Sequence, residues 1–391
     1  MNFALVIIVG RLYGPARAGE ILFCWTGAAF LSTLSRCGCD VFVLRSYSYG
    51  LQQDRIALRK GTFVQGTVIT MLSGSLFSAI VWGVCTLWLP ESFEEWWLLL
   101  PGFLIFVPIS GTAQTVAEFW KARGSVEYAG FLQTGLVSSV VCAGLLFGAP
   151  EIRTLGILFC IASVIQLSFS MIPLLSDFLV SSEYEFPSLR SLMASSLPQW
   201  GSEWLRIGTQ WWPQFVLSFI VSAADLGIFL MAARLSLVLN VVTIALSSVI
   251  ASRVARMLAS EHQRELSEMV QKYTRFGFLA MPVAFVAVAG ASPMYGWAVG
   301  EGFASGLTIF LILMFGQIVR ACFGFHSVIL ALTGHERAVF GSSVVGTATM
   351  FLLSPVCLWM GCTGGALISS IGLCLTTVLW ARVSWKVFRE A

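Results

Sequence analysis

Apolar residues form long runs along the whole chain, and short polar segments separate these runs. Most runs hold about 20 residues, the length that an α-helix needs to cross the hydrocarbon core of a bilayer. The runs span 3–13, 20–44, 61–89, 96–117, 126–147, 154–175, 198–222, 227–252, 276–298, 304–332, 338–360 and 364–385. This pattern predicts an all-α polytopic membrane protein with about twelve transmembrane helices.

The composition agrees with a lipid environment. The chain has 391 residues, of which 57% are hydrophobic and only 11% are charged, whereas soluble domains are about 25% charged. Many of its 14 Trp residues lie near the ends of the apolar runs, where aromatic side chains meet the membrane interface. The net charge of +3 is less informative than the distribution of the charges.

Lys and Arg are distributed unevenly between alternate loops. With a cytoplasmic N-terminus, most of the 23 Lys and Arg residues fall in the inner loops and the C-terminal tail. The outer side then holds only Arg11, Arg17 and Arg153. Because positively charged loops remain in the cytoplasm, we expect both termini to be cytoplasmic.

Sequence motifs for several kinds of chemistry are missing. The chain has no GxxxxGK[ST] loop for a nucleotide, no HExxH zinc motif and no GxSxG nucleophile. Its three histidines are scattered, and most of its ten cysteines lie in apolar runs, where they are expected to pack as small apolar residues. We therefore expect no metal, no cofactor and no nucleic-acid partner. The function classes that remain for the chain are a carrier, a channel and an intramembrane enzyme.

Two segments suggest an internal repeat. "YGPARAGEILFCW" (13–25) and "VSAADLGIFLMAA" (221–233) each make a short outer turn and then start a helix, at Gly19 and Gly227 respectively. Each half of the chain would then contain six helices. The two halves would have the same orientation, related by an axis along the membrane normal, and a binding site would lie between them.

The repeat predicts the domain boundaries. We expect an N-terminal six-helix lobe at 1–176, a cytoplasmic linker at 177–197 and a C-terminal six-helix lobe at 198–391. Helix seven is expected to begin near Pro198, and the same offset places the start of helix one before Met1. The first helix is therefore expected to be truncated.

Several stretches together resemble polysaccharide flippases of the Wzx type, in the superfamily that also holds multidrug and toxin extruders. The similarity covers nearly the whole chain and rests on the order and spacing of the stretches. They are "VGRLYGPARAGEILFCWTGAAFLSTLSRCGCDVFVLR" (9–45), "SLPQW" (196–200), "DLGIFLMAARL" (225–235), "VGEGFASGLTIFLILMFGQIVRACFGFHSVILALTGHER" (299–337) and "GCTGGALISSIG" (361–372).

This resemblance implies a function. Such proteins move an undecaprenyl-diphosphate-linked oligosaccharide across the cell inner membrane, for O-antigen, capsule or exopolysaccharide synthesis. The implied partners are this lipid-linked oligosaccharide, membrane lipids, H⁺ or Na⁺ as counter-ion, and polysaccharide polymerase machinery. Many relatives carry an Asp midway along helix seven, but here the segment reads Gln210-Trp211-Trp212, which leaves the coupling ion open.

Polar residues form a stripe on the predicted helix seven. They recur at steps of 4, 3, 4 and 4, which is one face of an α-helix. The stripe consists of Gln199, Glu203, Arg206, Gln210 and Gln214. It is predicted to line a polar cavity, with Glu203 in a coupling role. A hydrogen-bonded seam between packed helices, or a self-neutralising Glu203–Arg206 pair, is the alternative.

Other charged residues lie inside predicted membrane helices, where an unpaired charge has a high free-energy cost. Arg320 and Gln317 share a face of helix ten, and Arg206 and Arg320 are expected to hold the pyrophosphate from opposite lobes. Arg36 is expected at the cytoplasmic mouth of the cavity, with Asp40 as its partner and coupling group. A structural clamp to another helix is the alternative for this pair.

Two further arginines are substrate-binding candidates near the outer face. Arg11 lies where the related lipid II flippases use an Arg to contact pyrophosphate, by the resemblance. Arg234 either joins the site or pairs with Asp225 at the mouth of its helix.

Residues 252–275 are predicted to form an amphipathic connector on the inner leaflet. Two other functions remain open for the whole chain. The first is an extruder of small cationic drugs with the same fold, although such a site would favour carboxylates over arginines. The second is an intramembrane glycan polymerase or ligase, which usually needs a large outer loop that is absent from this sequence.

Overall fold

The structure, a computed structural model, describes residues 2–53, 55–88, 94–147, 152–178, 183–240, 243, 250, 254, 263–333 and 335–389. These residues form helices and, within those ranges, no strand. The N-terminal half contains α1 (Asn2–Ser35), α2 (Cys39–Gln52), α3 (Ile56–Trp88), α4 (Glu94–Ala122), α5 (Val126–Gly130), α6 (Leu136–Phe147) and α7 (Ile152–Phe178). The rest contains α8 (Leu189–Ser218), α9 (Ala223–Ser236), α10 (Gln263–Ala291), α11 (Pro293–Val299), α12 (Leu307–Phe323), α13 (Phe325–Leu332), α14 (Glu336–Leu353) and α15 (Val356–Arg389).

Six helical segments in the described ranges are long and apolar enough to cross a membrane. They are Ile56–Leu87, Leu99–Ala122, Thr154–Ile172, Glu268–Ala291, Glu301–Phe323 and Val356–Val387. A seventh crossing results if Glu127–Gln133 and Leu136–Phe147, which are bent by 54° relative to each other, form one span. The chain is therefore a multi-pass membrane protein, and the predicted all-α polytopic fold class is confirmed.

The described chain divides into two compact units. Unit 1 comprises Met1–Leu12 and Glu20–Trp204. Within it, α4 packs against α2, α3 and α7, and the buried rings of Phe103 and Phe159 lie 4.6 Å apart between α4 and α7. Helix α4 is thus the centre of unit 1.

Unit 2 comprises Tyr13–Gly19 and Leu205–Ala391. Its α12 packs against α9, α10 and α15, and α15 also packs against α13 and α14. Apolar side chains of α12 that face these neighbours, such as Ile309 and Ile318, are buried. The lobe boundaries proposed from the repeat, with a linker at 177–197, stay a prediction.

The sequence analysis was wrong about a continuous helix over 20–44. Helix α1 ends at Ser35 and α2 begins at Cys39. Between them Cys37 has φ 48° and Gly38 has φ 75°, and left-handed backbone of this kind ends a right-handed helix. The charges Arg36 and Asp40 therefore lie at a break between two helices.

Other boundaries also differ from the expectation. Helix α8 begins at Leu189, well before Pro198. The predicted span 304–332 is divided at Gly324 into α12 and α13, and the span 126–147 contains a π-helical turn at Phe131–Gly135. Of the connector predicted at 252–275, residues 252, 253 and 255–262 lie outside the described residues, and Gln263 begins α10.

The two glycines of the proposed repeat contact each other in unit 2. A Cβ added to Gly19 would lie 2.8 Å from the backbone nitrogen of Gly227 and would overlap with the carbonyl oxygen of Ala223. A Cβ added to Gly227 would overlap with the carbonyl oxygen of Pro15. Two backbone segments therefore approach here as closely as only glycine permits.

Candidate functional site

In unit 1, Arg36 and Asp40 form an ion pair across the break between α1 and α2. Arg36 Nη1 donates a hydrogen bond to Asp40 Oδ2 at 2.5 Å, and the two side chains are 12% and 15% exposed. Asp40 lies in the first turn of α2, and Arg36 follows the last turn of α1. Each charge therefore complements the dipole of the helix end beside it.

Helix α8 covers this break. The indole Nε1 of Trp200 donates a hydrogen bond of 2.9 Å to the carbonyl oxygen of Leu34. A Cβ on Gly38 would lie 2.8 Å from Cβ of Ser196, so the turn packs directly on α8. The same carbonyl oxygen accepts a hydrogen bond of 3.2 Å from the backbone nitrogen of Cys37, so Trp200 adds a second donor at the end of the helix and joins α8 to the turn.

A seam of hydroxyl and amide groups joins α1, α3 and α4 beside the pair. Ser73 Oγ donates to the carbonyl oxygen of Ser35, and Gln114 Nε2 donates to Ser32 Oγ at 3.4 Å and to Ser110 Oγ at 3.2 Å. Sequence reasoning missed this seam. Its signal is the spacing of Ser32 and Ser35, and of Thr70 and Ser73, at three residues, which repeats on one helix face.

Neutralising one member of the Arg36–Asp40 pair should destabilise the protein more than neutralising both. Arg36→Gln or Asp40→Asn leaves one charge in a largely buried site, and removing one partner of a buried pair costs about 3–5 kcal/mol. The double variant Arg36→Gln/Asp40→Asn removes both charges and should recover most of the loss. Thermal unfolding of the purified protein in detergent measures the difference.

The reversed pair Arg36→Asp/Asp40→Arg is the matched control. It restores an ion pair but places each charge against the unfavourable end of its helix dipole, so it should be less stable than the neutral double variant. A reversed pair as stable as the wild type would show that the dipoles of α1 and α2 do not matter.

The predicted polar stripe lies on α8, whose residues up to Trp204 belong to unit 1 and whose later residues belong to unit 2. All five of its positions lie on this one helix, but the side chains of Gln199, Glu203 and Arg206 lie outside the described part of the structure. Gln214 is buried, and its Nε2 donates to the carbonyl oxygen of Gln210 at 3.1 Å. Its Oε1 is buried and accepts no hydrogen bond from the described residues.

A neighbouring face of α8 forms side-chain hydrogen bonds with α14 and with the residue that follows it. Thr209 Oγ1 lies 2.8 Å from Thr347 Oγ1, and Trp212 Nε1 donates to Ser354 Oγ at 2.6 Å. Sequence reasoning missed both contacts, because each joins residues that are distant in the chain. Each residue turns a helix by about 100°, so Gln210 does not share the face of Thr209. The seam between α8 and α14 therefore does not account for the stripe.

Helix α12 carries Gln317 and Arg320 one turn apart, and both are half-buried. The Oε1 of Gln317 is buried and meets no hydrogen-bond donor among the described residues. Arg320 lies in the last turn, where a cation complements the helix dipole. Arg206 and Arg320 both belong to unit 2, and the expectation that they hold one ligand from opposite lobes stays a prediction.

Two further candidates, Arg11 and Arg234, lie on other helices. Arg11 is exposed on α1, and Arg234 is half-buried in the last turn of α9. Asp225 accepts a hydrogen bond from Ser222 Oγ at 2.7 Å at the start of α9. Nine residues separate Asp225 from Arg234, a rise of about 13 Å along a helix, and the alternative in which they pair stays a prediction.

The structure therefore brings together some of the predicted residues. Arg36 contacts Asp40 in unit 1, and Gln214 contacts Gln210 in unit 2. Gln317 and Arg320 are neighbours on α12. Within the described ranges, no group of three or more His, Cys, Asp or Glu residues is arranged to hold a metal ion.

One protein family matches part of the chain. The model of the family described as "Polysaccharide biosynthesis protein" matches residues 133–306. No curated protein is significantly similar in sequence to the chain.

Solved transporter structures share the fold over the whole chain. An inward-facing multidrug resistance MATE family transporter of the MOP superfamily has a TM-score of 0.75 at 12% identity, covering 100% of this chain and 95% of that one. The lipid II flippase MurJ, in an inward closed conformation, has a TM-score of 0.72 at 12% identity, covering 97% and 84%. A mutant of the Vibrio cholerae MATE transporter VcmN has a TM-score of 0.64 at 14% identity, covering 99% and 94%.

At these identities the likeness to the solved structures concerns the fold alone. The apolar helices, the transporter fold and this family match agree with one another. Residues 133–306 thus match a polysaccharide biosynthesis family, and the chain as a whole has the fold of MATE transporters and of the lipid II flippase MurJ.

Proposed function

We propose that the chain moves an undecaprenyl-diphosphate-linked oligosaccharide across the cell inner membrane, with both termini in the cytoplasm. The glycan enters O-antigen, capsule or exopolysaccharide on the outer side, where polysaccharide polymerase machinery uses it. A gradient of H⁺ or Na⁺ across the membrane is the proposed energy source, with Asp40 and Glu203 as candidate coupling groups.

The observation that carries this proposal is a set of unsatisfied amide oxygens on apolar helices. Gln214 on α8 and Gln317 on α12 each bury an Oε1 atom that accepts no hydrogen bond from the described residues. Buried acceptors normally have a partner, and the hydroxyl groups of a sugar are donors that could supply one. Arg320 lies one turn from Gln317, and a guanidinium matches the oxygens of a phosphate.

The other proposed substrate residues serve the same ligand. Arg206 and Arg320 are proposed to hold the pyrophosphate and Arg36 to meet it at the cytoplasmic side, with Arg11 and Arg234 nearer the outer side. The amides Gln199, Gln210, Gln214 and Gln317 are proposed to bind sugar hydroxyls. The match to a polysaccharide biosynthesis family and the fold shared with a lipid II flippase support this assignment.

A multidrug extruder is the second candidate, because MATE transporters share the fold. A cationic drug needs an accessible carboxylate inside the membrane. Of the two candidate carboxylates, Asp40 is already bonded to Arg36 at 2.5 Å. The described charges therefore favour an anionic substrate over a cationic one.

Reconstitution into vesicles distinguishes the two functions. The purified chain should move a fluorescent undecaprenyl-diphosphate-linked oligosaccharide between leaflets at least tenfold faster than vesicles with heat-denatured protein. Dithionite added outside bleaches only the outer leaflet and so reports the movement. Efflux of ethidium, a cationic drug, should not change. Ethidium efflux without glycolipid movement would establish the extruder in place of the flippase.

A further inference from the structure

A π-helical turn bends the apolar segment that contains α5 and α6 in unit 1. In this turn, Phe131–Gly135, the backbone nitrogen of Leu136 donates a hydrogen bond to the carbonyl oxygen of Phe131, five residues earlier. An α-helix would instead join Leu136 to Leu132, four residues earlier. The turn therefore contains one residue more than an α-helical turn, and the helical segments on its two sides are bent by 54°.

A buried glutamine of α7 stabilises this turn. Gln166 Nε2 donates a hydrogen bond of 2.8 Å to the carbonyl oxygen of Leu132, which is the oxygen that would accept from Leu136 in an α-helix. Gln166 is 1% exposed, and its Oε1 accepts no hydrogen bond from the described residues. Within the described ranges, the amide group of Gln166 is therefore used for the bond to this carbonyl group.

The α5 side of the turn is bound to two neighbouring helices. The hydroxyl group of Tyr128 donates to the carbonyl oxygen of Phe169 on α7 at 3.2 Å, and Gln133 Nε2 donates to Glu118 Oε1 on α4 at 2.9 Å. Together with the bond from Gln166, these contacts fix the residues before Thr134 to α4 and α7. If the turn changes its hydrogen bonds, we therefore expect α6 to move and α5 to stay in place.

Helix α6 is able to rotate without bringing a charge into lipid. Its sequence, LVSSVVCAGLLF, includes no charged residue, and it packs against α7 while Leu146 and Phe147 are exposed. Lipid tails are as apolar as such side chains, so the hydrophobic effect favours no single face of an apolar helix in a bilayer. Conversion of the π-helical turn to an α-helix would rotate α6 by about 100°, the angle that one residue contributes.

We propose that α6 has two hydrogen-bond registers, the π register of this structure and an α register, and that it exchanges between them during transport. Gln166 stabilises the π register, and it releases the carbonyl oxygen of Leu132 to the backbone nitrogen of Leu136 in the α register. Leu136 donates one backbone hydrogen bond in either register, as two conformations of similar free energy require. This inference rests on a transport function of the chain but not on which substrate is carried.

Disulfide cross-linking between α6 and α7 reports the register. A Cβ added to Gly144 would lie 3.1 Å from Cγ of Leu158, so cysteines at these two positions, the 144–158 pair, suit a disulfide in the π register. Loss of the extra residue in the turn would place Ala143 where Gly144 now lies, so the 143–158 pair reports the α register. Cys142 and Cys160 are replaced by alanine in every variant, so that they do not compete.

The ratio of the two cross-linking rates tests the role of Gln166. With Gln166 present, the 144–158 pair should form its disulfide faster than the 143–158 pair. Gln166→Met keeps the length of the side chain but removes the donor, and it should shift the ratio toward the 143–158 pair by about tenfold, the effect of one hydrogen bond. An unchanged ratio in Gln166→Met would overturn the inference.

Ser163→Ala is the matched control for this ratio. Ser163 is buried one turn before Gln166 on α7, and its Oγ donates to the carbonyl oxygen of Phe159 in the same helix at 2.6 Å. The substitution removes a buried polar group of α7 that does not bond to the π-helical turn, so the ratio should stay at the value measured with Gln166 and Ser163 both present.

Transport by the cross-linked protein tests whether the exchange belongs to the transport cycle. Oxidised Gly144→Cys/Leu158→Cys protein, which is fixed in the π register, should lose translocation of the fluorescent lipid-linked oligosaccharide in vesicles. Reduction of the disulfide should restore it. The single variant Leu158→Cys, treated with the same oxidant, should keep its rate. Undiminished translocation with a complete 144–158 disulfide would show that α6 keeps one register throughout the cycle.

Failure of this inference is distinguishable from failure of the proposed function. If the reduced protein moves the glycolipid but Gln166→Met leaves the cross-linking ratio unchanged, the two registers are wrong and the flippase function stands. If the reduced protein moves no glycolipid, the proposed function is wrong. The cross-linking ratio needs no substrate and still decides the inference in that case, and ethidium efflux then measures the effect of the disulfide on transport.

Discussion

The Gly227→Leu variant should fail to accumulate as a folded membrane protein. A side chain at this position would overlap with the carbonyl oxygen of Pro15, and Gly19 lies immediately beside it. Overpacking a core usually costs about 1–3 kcal/mol, and the cost should be higher here because backbone atoms cannot rotate away. Fluorescence-detected size-exclusion chromatography of a GFP fusion measures the folded fraction, which we expect to fall at least tenfold.

Gly341→Leu is the matched control for this prediction. Gly341 also lies within a helix of unit 2, is exposed, and has nothing within 4 Å of an added Cβ. It should retain a wild-type elution profile. A Gly227→Leu protein that elutes like this control would show that Pro15 and α9 do not need to approach each other closely.

The Arg320→Ala variant should lose surface glycan in a flippase-null strain while the protein remains in the membrane. Arg320 is half-buried on α12, one turn from the unsatisfied oxygen of Gln317. If it holds the pyrophosphate, removing its charge should reduce surface glycan at least tenfold. Arg320→Lys keeps the charge without the paired donors of arginine and should retain part of the activity.

Immunoblots of the membrane fraction separate binding from folding in this experiment. Arg382→Ala provides the control, since Arg382 is an exposed arginine on α15, and it should support wild-type glycan. Normal glycan in the Arg206→Ala/Arg320→Ala double variant would remove both residues from the site. Loss of the Arg320→Ala protein itself would instead assign this arginine to the packing of α12.

The apolar runs predicted the fold well because lipid allows few alternatives. A backbone inside hydrocarbon must satisfy its own hydrogen bonds, so an apolar run of sufficient length becomes a helix whatever its neighbours are. The break at Arg36–Gly38 was missed for a physical reason. It depends on the left-handed backbone of Cys37 and Gly38 and on a hydrogen bond from Trp200, and the latter is a tertiary contact.

The candidate site was predictable only where its residues share a helix. The 4-3-4-4 spacing placed Gln210 and Gln214 on one face of α8, and their contact agrees with this spacing. The bond from Trp212 to Ser354 joins residues that no local period relates. Sequence spacing likewise could not indicate that Gln214 and Gln317 would each bury an amide oxygen that accepts no hydrogen bond from any described residue.

The short distance along the chain between Arg36 and Asp40 has a consequence for biosynthesis. During synthesis, each charged residue at the centre of an inserting segment opposes entry into the bilayer by about 2.5–3.5 kcal/mol. These two residues lie four positions apart and reach each other without any help from later helices. The nascent chain can therefore enter the bilayer with this pair already neutralised, before α8 has left the ribosome to complete the turn.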